Sequence, residues 1–147
     1  MKRFFMALAL VAAVVACGSQ PKKSASAPQV VQPVEYGYVV KNVYPHSPKS
    51  YTQGLQFVDG IMWEGTGEYG RSEINTYTLG DEKPQTKLKL PRNEFGEGIT
   101  HFRGEIYQLT WESHTAHIYD SNGRHLRDVK YRGEGWGITT DGERLYM

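Results

Sequence analysis

The chain has 147 residues, 39% of them hydrophobic, and a formal net charge of +1. That length allows one domain at most, and the near-neutral charge removes the electrostatic case for a nucleic-acid binder. Ten Tyr, three Trp and sixteen Gly, with few long apolar runs, favour an all-β protein.

The chain opens on a short basic head, Met1-Lys2-Arg3, followed by an apolar run from Phe4 to Ala16. That run is too short to span a bilayer and has the size of a signal-peptide core. Its end, Val14-Val15-Ala16-Cys17, resembles a bacterial lipoprotein signal, in which the cysteine becomes the lipid-carrying N-terminus. Residues 1–16 are therefore expected to be a lipoprotein-type signal, with Cys17 as the lipidation site. A plain signal peptide with an incidental cysteine is the alternative. Cys17 is the only cysteine, so neither an internal disulfide nor a Cys-based zinc cluster can form. Several acyl chains on one residue hold a protein stably at a membrane surface. The expected location is the bacterial cell envelope, with the lipid as the only membrane contact.

Residues 17–34 are rich in Ser, Ala, Pro, Gln and Lys. Such a segment cannot bury enough apolar surface to offset its ordering entropy, and it reads as a flexible tether. Lys22-Lys23 within it reads as solvation. Folded structure is expected over 35–147.

Three segments then repeat one pattern. They begin at Tyr51, at Phe95 and at Glu134, and their key glycines, Gly54, Gly98 and Gly137, are 44 and 39 residues apart. Gly60 and Gly104 keep the first offset, and Gly142 closes a turn one residue shorter. Each unit reads as a glycine, an apolar strand, a glycine turn and a second strand such as Ile61-Met62-Trp63 or Ile106-Tyr107-Gln108. Ser72 to Leu79 alternates like a strand. Ala116–Asp120 and Leu126–Tyr131 flank Ser121-Asn122-Gly123, a strong hairpin signal. A unit of about 40 residues with four short strands points to a β-propeller blade; a β-sandwich with coincidental turn spacing is the alternative.

In this register Gln53, Glu97 and Trp136 are equivalent, each preceding the key glycine, and so are Tyr51, Phe95 and Glu134. Residues at the start of the innermost strands of a propeller converge on one end of its central channel. A carboxamide, a carboxylate and an indole should meet there, beside glycines whose bare backbone lets a ligand approach closely.

The stretches SYTQGLQF (50–57), EGTGEYG (64–70), LPRNEFGEGIT (90–100), YQLTWE (107–112), IYD (118–120) and GEGWGITTDG (133–142) together resemble the plant and bacterial type of glutaminyl-peptide cyclotransferase, in the family's order and approximate spacing. The resemblance implies a five-bladed propeller that converts the N-terminal Gln of a peptide to pyroglutamate and releases ammonia. It implies Glu97 as the proton-transferring acid, Gln53 as a pocket glutamine, and Phe95, Trp111 and Trp136 as pocket aromatics. Tyr51 stands where the family often has Phe. No cofactor and no metal ligand are implied, and the partners would be peptides with N-terminal Gln. The sequence stops after about two and a half blades, whereas closure takes four to eight. A truncated array is expected, lacking the family's later pocket asparagine and lysine. A non-catalytic peptide-binding propeller and an inactive fragment are therefore the alternative readings.

Other signals are set aside. Gly65 to Gly70 matches G-x-G-x-x-G, but the dinucleotide motif needs a following helix, and a strand pattern follows. Glu112, His114 and His117 suggest a metal cluster, yet zinc needs three or four ligands in tetrahedral reach, and a solvated turn is the expected environment. His46 reads as a loop residue, and His101 and His125 have no evident partner.

Overall fold

The structure, a computed structural model, describes residues 32–81 and 83–147. The signal segment, Cys17 and most of the tether lie outside the described residues. The chain divides into two units, Met1–Val39 and Val40–Met147. Of the first, residues 32–39 carry no regular element and are exposed. All ten strands lie in the second, and among the described residues there is no helix.

The strands fall into antiparallel sheets. The first is a four-stranded meander of β1 (Thr52–Val58), β2 (Ile61–Thr66), β3 (Glu73–Tyr77) and β4 (Gln85–Lys89). The second has the same order: β5 (Gly96–Phe102), β6 (Glu105–Thr110), β7 (Thr115–Asp120) and β8 (His125–Lys130). A third begins with β9 (Thr139–Thr140) paired to β10 (Leu145–Tyr146). These are two blades and the start of another, as the repeat predicts. β4 is the strand that the sequence pattern did not delimit.

The glycine turns take their shape from backbone chirality. Asp59-Gly60 (φ 50° and 85°) and Arg103-Gly104 (φ 53° and 79°) both lie in the left-handed region. Positive φ at both central residues is the two-residue turn whose twist matches antiparallel strands, and Val58 pairs with Ile61 as Phe102 pairs with Glu105. The third unit differs: Thr140 pairs with Leu145, so its turn is two residues longer than the others. Asp141 Oδ1 accepts from the amides of Glu143 and Arg144 at 2.8 and 2.7 Å.

Trp63, Ile74, Ile99, Ile106 and Tyr119 form the buried cluster between the blades, with Val58 and Leu88 packed against it. Ile74 and Ile106 are fully buried, a state worth about 1.5–3 kcal/mol for each side chain. The outermost strand β8 is exposed throughout. Its His125, Arg127, Asp128 and Lys130 put charged or titratable groups on a free edge, which opposes pairing with another chain.

Candidate active site

The pairing at the start of each inner strand is irregular in the same way. Thr52 pairs with Thr66 and Gly54 with Gly65, which leaves Gln53 as the extra residue of a bulge. Gly96 pairs with Thr110 and Ile99 with Gln108, so Glu97 and Gly98 together face one residue. A bulge bends its strand and re-aims a side chain. Here it turns both side chains toward each other: Gln53 Nε2 donates to Glu97 Oε2 at 2.8 Å. Glu97 is 4% exposed. Burial raises its pKa above the ordinary carboxylate value, and the hydrogen bond from Gln53 partly opposes this.

Aromatic rings adjoin this pair, with Phe95 as their hub. Tyr51 meets it edge-on at 6.2 Å, Tyr69 at 5.5 Å and Trp111 at 5.9 Å between ring centroids. Trp111 continues the row to Trp136 at 6.1 Å, and its Nε1 donates to Glu134 Oε2 at 2.9 Å. Tyr69 is a member that sequence reading missed. It sits in the turn after β2, and its hydroxyl donates to Glu112 Oε2 at 3.3 Å.

The structure thus brings together all the residues singled out at this end, with one difference in kind. The indole of Trp136 lies against Trp111 and is 59% exposed. What Trp136 offers the Glu97 bulge is its backbone: Gly98 N–H donates to Trp136 O at 2.8 Å.

The glycines serve the fold more than a ligand. A Cβ at Gly54 would lie 2.4 Å from Ile99 N, and one at Gly98 would lie 2.7 Å from Trp136 O. Neighbouring blades therefore fill the space that the sequence suggested for a ligand. The amides of Gly96 and Gly98 are also engaged, by Ser72 Oγ at 2.9 Å and by Trp136 O.

Two histidine expectations, those for His117 and His125, need correction. His117 is not in a solvated turn but 7% exposed inside β7. Its Nε2 lies 2.6 Å from Glu94 Oε2 and its Nδ1 lies 2.7 Å from Asp128 Oδ1. His125 does have a partner, with Nε2 at 2.6 Å from Asp128 Oδ1. His46 is a loop residue as expected, yet its Nε2 reaches the fully buried Glu64 at 2.9 Å. His114 sits in the turn after β6 with φ 51° and meets Gly133 O. His101 packs edge-on against Trp63 at 4.5 Å, and its buried Nε2 has no partner among the described residues. Gly65 to Gly70 runs from β2 into a turn and then β3, so no helix follows that glycine motif.

Blades with an acid and a carboxamide at their inner bulges, beside a row of aromatic rings, define a β-propeller with a site at one end of its inner strands. The glutamine cyclotransferase family model matches residues 8–147, and the chain belongs to that family. It is 34% identical over 108 residues to glutaminyl-peptide cyclotransferase of Arabidopsis thaliana, across 70% of this chain and 33% of that protein. It also superposes on the crystal structure of Myxococcus xanthus glutaminyl cyclase with a TM-score of 0.59 and 28% identity, across 69% of this chain and 43% of that one. The chain thus spans about a third of the curated relative and less than half of the solved one.

Proposed function

We propose that the protein cyclises the N-terminal Gln of peptides to pyroglutamate, with Glu97 as general base and then general acid. The observation that carries this reading is a nearly buried carboxylate with a raised pKa, held by Gln53 beside a row of aromatic rings. The relatives named glutaminyl-peptide cyclotransferase and glutaminyl cyclase support the substrate class.

The reaction asks little beyond orientation and proton transfer. The substrate's α-amine and its side-chain amide are already tethered, so closure needs a productive geometry. The amine has a pKa near 8 and must be deprotonated to attack. Its nitrogen bonds to the amide carbon, and the carbonyl becomes an oxyanion. Glu97 takes the proton lost by the attacking nitrogen. It then delivers that proton to the amide nitrogen, the carbon–nitrogen bond breaks, and ammonia leaves. Burial favours this sequence, because a carboxylate with a raised pKa is both a better base and a readier acid near neutral pH. Oε1 of Glu97 makes no hydrogen bond among the described residues, which leaves an acceptor for the substrate amine.

With the Gly96 and Gly98 amides engaged, the second N–H of Gln53 is the preferred oxyanion donor, a role worth several kcal/mol in other acyl transfers. Phe95, Tyr51, Trp111 and Trp136 would wall the site and exclude water. The protein would work in the cell envelope, tethered through Cys17.

Ammonia release from Gln-peptides tests the reading, with Glu97→Gln as the comparison. Substrate binding without ammonia would favour a non-catalytic peptide-binding propeller. Undiminished release by Glu97→Gln would remove Glu97 from the chemistry.

A further inference from the structure

The outer strand pair of the second blade carries a group of side chains that the reaction does not use. His117 and Asp128 are directly opposed across β7 and β8. Tyr119 is opposed to His125, and between Ile118 and Tyr119 the register shifts, so β8 carries one extra residue at Leu126. Residues three apart on a regular strand face opposite sides. The extra residue cancels that difference and puts His125, Asp128 and His117 on one face.

The donor atoms converge. Asp128 Oδ1 lies 2.7 Å from His117 Nδ1 and 2.6 Å from His125 Nε2, and the three ligand atoms are all within 4.8 Å of one another. The far nitrogen of His117, Nε2, meets Glu94 Oε2 at 2.6 Å. A carboxylate accepting from Nε2–H leaves the Nδ1 lone pair for a metal. It is the arrangement in which an outer carboxylate orients a metal-binding histidine. The His117 side chain is 9% exposed, so its ring is held in place, while those of His125 and Asp128 are 50% and 44% exposed. That leaves an open side for a water ligand.

We propose that His117, His125 and Asp128 form a site for one divalent transition-metal ion, with Glu94 as the outer carboxylate. Two imidazoles and one carboxylate suit zinc and its neighbours better than calcium or magnesium, which prefer all-oxygen shells. Ligands at about 2.0–2.1 Å around tetrahedral zinc need only a modest spreading of the atoms now in hydrogen-bond contact. The ion would replace the protons between the two rings and Asp128. It would pin β7 and β8, through His117 and Glu94, to the segment that enters β5 with Phe95 and Glu97.

The test is titration of the 147-residue chain with zinc against a chromophoric chelator, in a Cys17→Ser background that removes the only thiol. One saturable equivalent is expected, and cobalt in place of zinc should show the visible bands of tetrahedral coordination. His125→Ala and Asp128→Asn should each weaken binding roughly 10-fold or more, and Glu94→Gln by roughly 10–100-fold. His114→Ala, a nearby exposed histidine, should leave it unchanged. Absence of a saturable equivalent overturns the site. So does binding that survives both His125→Ala and Asp128→Asn, which would show that protons alone hold these groups together.

Discussion

Gln53 Nε2 donates to Glu97 Oε2 across 2.8 Å, although the two residues are 44 positions apart. Both stand at the bulge that begins an inner strand. The hydrogen bond lowers the pKa of Glu97 while burial raises it, and burial is the larger influence. Gln53→Ala removes the lowering influence and should move the Glu97 titration further toward neutral pH. Carbon-13 NMR of the Glu97 carboxyl reads this without reference to turnover. A titration unchanged in Gln53→Ala would mean that the hydrogen bond does not form in solution.

Glu97→Gln separates chemistry from stability. Turnover should fall by about 10²–10⁴-fold, the usual size of a general acid–base contribution. Stability should move the other way. The folded pKa lies above the unfolded one, so the native state holds its proton longer as pH rises, and stability is lost between those two values. Glutamine has no proton to lose and still accepts from Gln53. The melting temperature of Glu97→Gln should equal or exceed that of the parent at pH 7, with the difference vanishing below about pH 4, where the carboxyl is protonated in both states. A variant markedly less stable at pH 7 would contradict the burial argument.

Gly98→Ala should be costly. Its Cβ would meet Trp136 O, Ile138 N and the Gly137 Cα at 2.7–3.0 Å. All of these are backbone atoms that cannot swing aside. Overpacking of this kind costs about 1–3 kcal/mol. Gly137→Ala meets nothing within 4 Å and should stay within about 0.5 kcal/mol of the parent. Urea unfolding of both variants gives the comparison, and equal midpoints would refute the close approach of the blades.

Phe95→Ala should disturb the site more than Trp136→Ala. Phe95 touches three rings, while Trp136 touches one and is 59% exposed. Aromatic pairs add about 0.5–1.5 kcal/mol each beyond area burial, so Phe95→Ala should lose roughly 2–4 kcal/mol. Near-ultraviolet circular dichroism should flatten with it and change little for Trp136→Ala. The reverse order would show that the ring row is not organised around Phe95.

Much of this was legible in the sequence, because strands alternate with a period of two and turns demand particular residues. The Asn-Gly turn after β7, the alternation of β3 and the 44-residue offset between Gly54 and Gly98 are all local patterns. That offset sufficed to place Gln53 beside Glu97, since equivalent residues of adjacent blades become neighbours. Tertiary structure decided what depends on register and on approach between sheets. The bulge at Leu126 puts His125 and Asp128 on the face of His117, a matter of pairing that no spacing rule shows. The glycines beside Glu97 turned out to admit backbone of the adjoining blades, Thr66 O at Gly96 and Trp136 O at Gly98, which only the packed sheets reveal. Tyr69 joined Phe95 because the turn after β2 folds toward the neighbouring blade. Chain pattern specifies each strand; strand pairing and sheet contact select the partners of its side chains.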